Sequence, residues 1–165
     1  MTNETLYLGA NPLNASATAV EGDYVTRDGE SFYRIANVDG MNDFFISVVS
    51  DSNHWMFIST RGGLSAGRTD CDSALFPYYT EDKIRDNSDN TGSRTIVIAD
   101  QGGKRMLWEP FSRSHTGIYR ITRNLYKNVL GDKLIFEETN HDLDLQFSYS
   151  WSTSDRFGFV LQSTI

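Results

Sequence analysis

The chain has 165 residues, of which 39% are apolar and 13% aromatic, a globular composition long enough for one domain with a real core. A net charge of −7 excludes recognition of a nucleic-acid backbone, which draws on excess Lys and Arg. The single cysteine, Cys71, excludes an intramolecular disulfide and predicts a reducing, cytoplasmic setting, and no apolar run approaches membrane-spanning length.

Residues 1–22 are small and polar and read as a flexible arm ahead of a domain over 23–165. After the arm the hydrophobic period is two. "DFFISVVS" and "HWMFIST" are rich in β-branched and aromatic residues and are joined by "DSN", so they predict two strands and a turn. "RTIVIAD" is apolar on both faces and predicts a central strand. "TGIYRITRNLY" alternates up to the turn residues Gly131 and Asp132, and "KLIFEETN" follows. "LDLQFSYSW" alternates most cleanly, with Leu143, Leu145, Phe147, Tyr149 and Trp151 on one face. "SDRFGFVLQSTI" reads as a last strand still in progress at Ile165. The expected fold is therefore all-β, an antiparallel β-sandwich with at most short helical turns, and the open final strand predicts part of a larger sandwich. An unpaired sheet edge there would invite a homodimer.

"SALFPYYTEDKIRDNSD" is predicted as a corner. Pro77 fixes its own φ and extends Phe76, and Thr80 caps a helical turn that has Glu81 and Asp82 in its first turn. The preceding stretch, Thr60 to Tyr79, lacks strand periodicity and carries three glycines, two arginines and two tyrosines. Glycine admits close backbone approach, and arginine and tyrosine suit hydrogen bonding and stacking on sugars. Arg61, Ser65, Arg68 and Asp70 are the substrate-binding candidates, set against an ordinary surface connection.

Catalytic patterns are weak. Glycoside cleavage needs two carboxyls about 5 Å or roughly 6.5–9.5 Å apart. Glu137 and Glu138 are neighbours in a predicted strand and so point to opposite faces, and Asp142 sits in a turn. "DNSDNTG" opens like a calcium loop, but its glycine is one place late and Val97 stands where the closing Glu belongs. His54, His115 and His141 lack metal-ligand spacing, so neither metal nor other cofactor is expected. Pairing His115 or His141 with Glu137 would give a small mutarotase-like enzyme, but no motif supports it. Among the aromatics, Trp55 and Trp151 are predicted to pack in the core. Trp108, ahead of Glu109-Pro110, is the best candidate for an exposed sugar platform, with Tyr78 and Tyr79 as further members.

"ALFPYYTEDKI", "LWEPFS", "GIYRITRNLYKN", "KLIFEETNHDLDLQFSYSW" and "SDRFGFV", in that order, resemble the N-terminal region of large carbohydrate-active proteins related to cellobiose phosphorylase. The resemblance runs from about Asp28 to the end of the chain. It implies a galactose-mutarotase-like sandwich (a supersandwich) preceding a helical linker and an (α/α)6 barrel, with the general acid and the phosphate site in the barrel. On that reading the chain is a non-catalytic accessory domain of a glycoside phosphorylase or hydrolase. It would pack on the barrel in cis, support dimerisation and lend loops to an oligosaccharide site. The alternative is a free-standing carbohydrate-binding module.

Overall fold

The structure, a computed structural model, describes residues 5–14, 18–76, 83–84 and 94–165. The corner predicted at Pro77–Asp82, the Thr80 cap, and Tyr78 and Tyr79 lie outside the described residues. The regular secondary structure of the described residues is almost entirely β, with short 3-10 turns. A small hairpin, β1 (Tyr7–Leu8) and β2 (Asn11–Pro12), falls within the arm, and Asn14 N–H donates to Gly117 O at 2.8 Å. The strands β3 (Glu21–Arg27) and β4 (Glu30–Ala36) form a hairpin over Asp28 and Gly29. Both turn residues have positive φ, 50° and 80°, as a two-residue turn matched to strand twist requires.

Next come β5 (Phe45–Val48), β6 (His54–Ser59) and β7 (Leu64–Arg68), a three-stranded antiparallel sheet in the order β5-β6-β7. The hairpin β8 (Val97–Gln101) and β9 (Lys104–Trp108) turns at Gly102-Gly103. Finally, β10 (Ile121–Asn128), β11 (Lys133–Asn140), β12 (Leu145–Ser154) and β13 (Gly158–Thr164) run as a meander. They join the first hairpin in a six-stranded antiparallel sheet ordered β13-β12-β11-β10-β4-β3.

Register sorts the side chains of this sheet into two faces. Leu125, Phe136 and Tyr149 lie side by side across β10, β11 and β12, as do Lys127, Leu134 and Trp151. This inner face packs on Val48, Met56, Ile58, Leu64 and Ala66 of the three-stranded sheet, which makes the core of a β-sandwich. Trp151 and Tyr149 are buried there, as the alternation of "LQFSYSW" predicts, and Leu143 is buried from the turn before β12. The outer face carries Ser148, Ser150 and Ser152 and one buried carboxylate, Glu137. Its oxygens accept from Tyr126 Oη at 2.6 Å, Asn124 Nδ2 at 3.0 Å and Arg27 Nη1 at 2.9 Å.

Four expectations are corrected. "RTIVIAD" is not a central strand: β8 pairs only with β9 among the described residues, leaving Ile96 and Ile98 exposed, because an apolar run alone does not say which face is covered. Thr60–Tyr79 is not strand-free, since β7 occupies Leu64–Arg68 and the small residues Ser65, Ala66 and Gly67 hide its periodicity. Trp108 is not exposed: it is 1% accessible and its indole N–H is bonded inside the core. Trp55 is not in the core: it is half-buried on the outer side of the small sheet, because Met56 and Ile58 take the inward positions of β6.

Candidate functional site

Where β4 finishes and β10 begins, a cleft of about 370 Å3 opens onto the inner face. Phe136 and Tyr149 form its floor and stack at 4.8 Å with a 13° tilt, as neighbours across β11 and β12. Phe111, from the connection between β9 and β10, stands edge-on to Tyr149 at 5.2 Å and 84°. The rim comes from three turns: Asp39 and Met41 after β4, Thr60 and Arg61 between β6 and β7, and Arg113 and Thr116 before β10.

A buried carboxylate organises this wall. Glu138 of β11 points to the inner face, where its Oε1 accepts from Trp108 Nε1 at 2.8 Å. Its Oε2 accepts from Phe111 N and from Arg123 Nε, both at 2.7 Å. Arg123 continues through Nη2 to Ser112 O at 3.1 Å. A buried charge persists only when paired and hydrogen-bonded in this way. The same carboxylate holds Phe111 in the left-handed region, at φ 63°. That conformation costs a bulky residue about 1–3 kcal/mol and survives only where surrounding contacts over-determine it. The strain aims the Phe111 ring into the cleft.

The β6–β7 turn closes down on the floor. Gly62 has φ 84°, and a Cβ added there would stand 3.1 Å from Tyr149 Oη. Burial pushes the Tyr149 phenol above its ordinary value, so it remains a neutral hydroxyl. Arg61, at the tip of that turn, is exposed, and its guanidinium makes no hydrogen bond or ion pair among the described residues. Among the described residues that line the cleft, Asp39 is the one carboxylate. Phe136 and Tyr149 are themselves buried, at 2% and 9% accessible, so the half-buried Phe111 ring and the hydrogen-bonding groups of the rim are what the cleft presents to a small ligand.

Of the four candidate residues, only Arg61 lies at this cleft. Ser65 is in the middle of β7 with no accessible surface. Arg68 ends β7, about 15 Å along the strand from the turn, and its Nε donates to His54 Nε2 at 2.9 Å. Asp70 caps the short 3-10 turn Cys71–Ser73, accepting from Ser73 N at 3.0 Å. Among the described residues no group of three His, Cys, Asp or Glu could hold a metal. His141 Nε2 lies 2.7 Å from Thr122 Oγ1, and neither it nor His115 is a partner of Glu137. No helix among the described residues is long and apolar enough to cross a membrane.

Glu138, Arg123, Phe111 and Tyr149 are residues of the cleft and its wall that the sequence reading does not pick out. Two of them carry a signal, because Glu138 and Arg123 are charges at inward positions of period-two strands. The positive φ of Phe111 has no counterpart in the sequence. No known protein-family model matches the chain, and no match is found among curated proteins.

Proposed function

We propose that this chain is a non-catalytic β-sandwich domain of a glycoside phosphorylase-like or hydrolase-like protein, and that it contacts saccharide through the cleft beneath Arg61. The observation that carries the reading is the cleft itself: a stacked aromatic floor under a rim whose one unengaged cation is Arg61 among the described residues. Among the described residues Asp39 has no second free carboxylate beside it on the rim, while the oxygens of Glu138 are committed to three donors. That chemistry fits binding better than two-carboxylate cleavage. Docking on a catalytic barrel in cis would cover the outward strip of the β8–β9 hairpin, where Ile96, Ile98 and Leu107 are exposed.

The test is titration of the chain with mono- and oligosaccharides, read by NMR. Saturable shifts at Phe111 and Tyr149, weakened about tenfold or more in Arg61→Ala, support the reading. Undiminished binding by Arg61→Ala, or turnover of a disaccharide by the pure chain, defeats it. A free-standing binding module is the second reading. It is favoured by the row Phe45, Phe57 and Trp55 on the outer side of the small sheet, with ring centroids 5.9 and 6.2 Å apart. Loss of saccharide binding in Trp55→Ala, with Arg61→Ala unaffected, would select it.

A further inference from the structure

The large sheet is wider than the layer that covers it. The inner faces of β3 and β4 stay open, leaving Tyr24 73% and Tyr33 43% accessible, their rings edge-to-face at 5.2 Å. Between these tyrosines and β5 lies a second cavity, of about 430 Å3, which shares no lining residue with the first. Its walls are Ile35 and Leu125 from the large sheet and Phe44 and Ile46 from the small one. The volume falls within the roughly 300–1,000 Å3 of small-molecule sites.

One charge faces into this apolar space. Lys127 lies opposite Tyr33 on β4 and Leu134 on β11, which places it on the inner face. It is half-buried and makes no hydrogen bond or ion pair among the described residues. Its Cε stands 3.7 Å from where a Cβ on Gly131 would be, beside Val49. That mouth is fixed: Val49 N donates to Gly131 O at 2.9 Å, and Gly131 N to Asn128 O at 3.0 Å. The Asn128 side chain is already committed. Its amide donates to Glu30 and Asp132, and its oxygen accepts from Gly131 N and Lys133 N. The Lys127 ammonium, with no counter-charge among the described residues, is open to an anion entering the cleft, and a charge-assisted hydrogen bond to it is stronger than a neutral one.

We infer that this cleft binds a small amphipathic carboxylate, its apolar body between Tyr33 and Ile46 and its carboxylate on Lys127. A lone ammonium matches a monoanion, and the aliphatic and aromatic walls match a hydrocarbon body better than a polyol.

Octanoate and 1-octanol, which share a chain and differ in charge, are the probes, titrated into the full chain and followed by NMR. Octanoate should give saturable shifts at Ile35, Ile46 and Leu125 and bind about tenfold or more tightly than octanol. Lys127→Met should abolish that preference, Lys127→Arg should retain it, and Arg61→Ala should leave it unchanged. Tyr24→Ser, at a side chain that is mostly exposed, should weaken both probes. Equal affinity for the two probes, absence of saturable octanoate binding, or shifts centred on the first cleft would each overturn the inference. So would Lys127→Met retaining the preference.

Discussion

Replacing Glu138 by Gln removes one charge and one acceptor from the centre of the sandwich. The Glu138 side chain is 2% accessible and that of its partner Arg123 15%, so water does little to replace the lost ion pair. Breaking a buried pair from one side costs about 3–5 kcal/mol. The carboxamide also presents N–H groups where Trp108 Nε1, Phe111 N and Arg123 Nε all donate, and an unsatisfied buried donor costs about 1–3 kcal/mol. These terms overlap, and we expect a net loss of about 4 kcal/mol, a large part of the roughly 5–15 kcal/mol that keeps a domain folded. With a urea slope of about 2 kcal/mol per molar, the unfolding midpoint should fall by about 2 M. Circular dichroism and tryptophan fluorescence should report the same transition. The double variant Arg123→Met with Glu138→Met leaves no buried charge but still orphans the Trp108 and Phe111 donors. It should recover part of the loss and not all of it. A midpoint for Glu138→Gln within about 0.3 M of the parent, less than 1 kcal/mol on that slope, would refute the central role of this carboxylate.

Two further outcomes follow from the same two faces. The Tyr126 phenol is pushed up to about 12, by burial first and then by its bond to the Glu137 carboxylate. Its share of stability is therefore full below pH 10 and is lost as pH rises from 10 towards 12; Tyr126→Phe should flatten that alkaline loss in urea midpoints measured across the range. Trp151, edge-on to Phe76 and opposite Leu134, anchors the inner face of β12, so Trp151→Ala should cost about 3–5 kcal/mol, and an unchanged midpoint would contradict the assignment of that face.

The strands of the meander were legible because a period of two is a physical consequence of the pleat. Phe147, Tyr149 and Trp151 declared the buried face of β12, and Gly131-Asp132 marked the turn before β11. Legibility failed where one residue type serves two environments. Small residues in β7 pass for a loop, and Ile96 and Ile98 in an uncovered hairpin pass for a central strand. The burial of Trp108 is not legible locally, because the acceptor for its indole N–H is 30 residues away in the chain, at Glu138. At the candidate cleft, Arg61 is a turn residue, and turn chemistry is local enough to read from the chain. The floor beneath it is not, since Phe136 and Tyr149 become neighbours only through register, and Phe111 reaches them only through a strained backbone.

Glu137 and Glu138 also act on the choice among alternative pairings. Adjacent on β11, they pass through opposite sides of one sheet, each to a waiting set of donors: Tyr126, Asn124 and Arg27 on one side, Trp108, Phe111 and Arg123 on the other. A slip of β11 by one residue against β10 would turn both carboxylates to the wrong sides at once. It would strand two anions and free Arg27 and Arg123 together, besides inverting every apolar side chain of the strand. A slip by two would keep the faces but carry each carboxylate away from its donors. Apolar packing alone tolerates some sliding of Leu134 and Phe136 past their neighbours. The paired acids do not, so the central strand has one alignment in which both are satisfied.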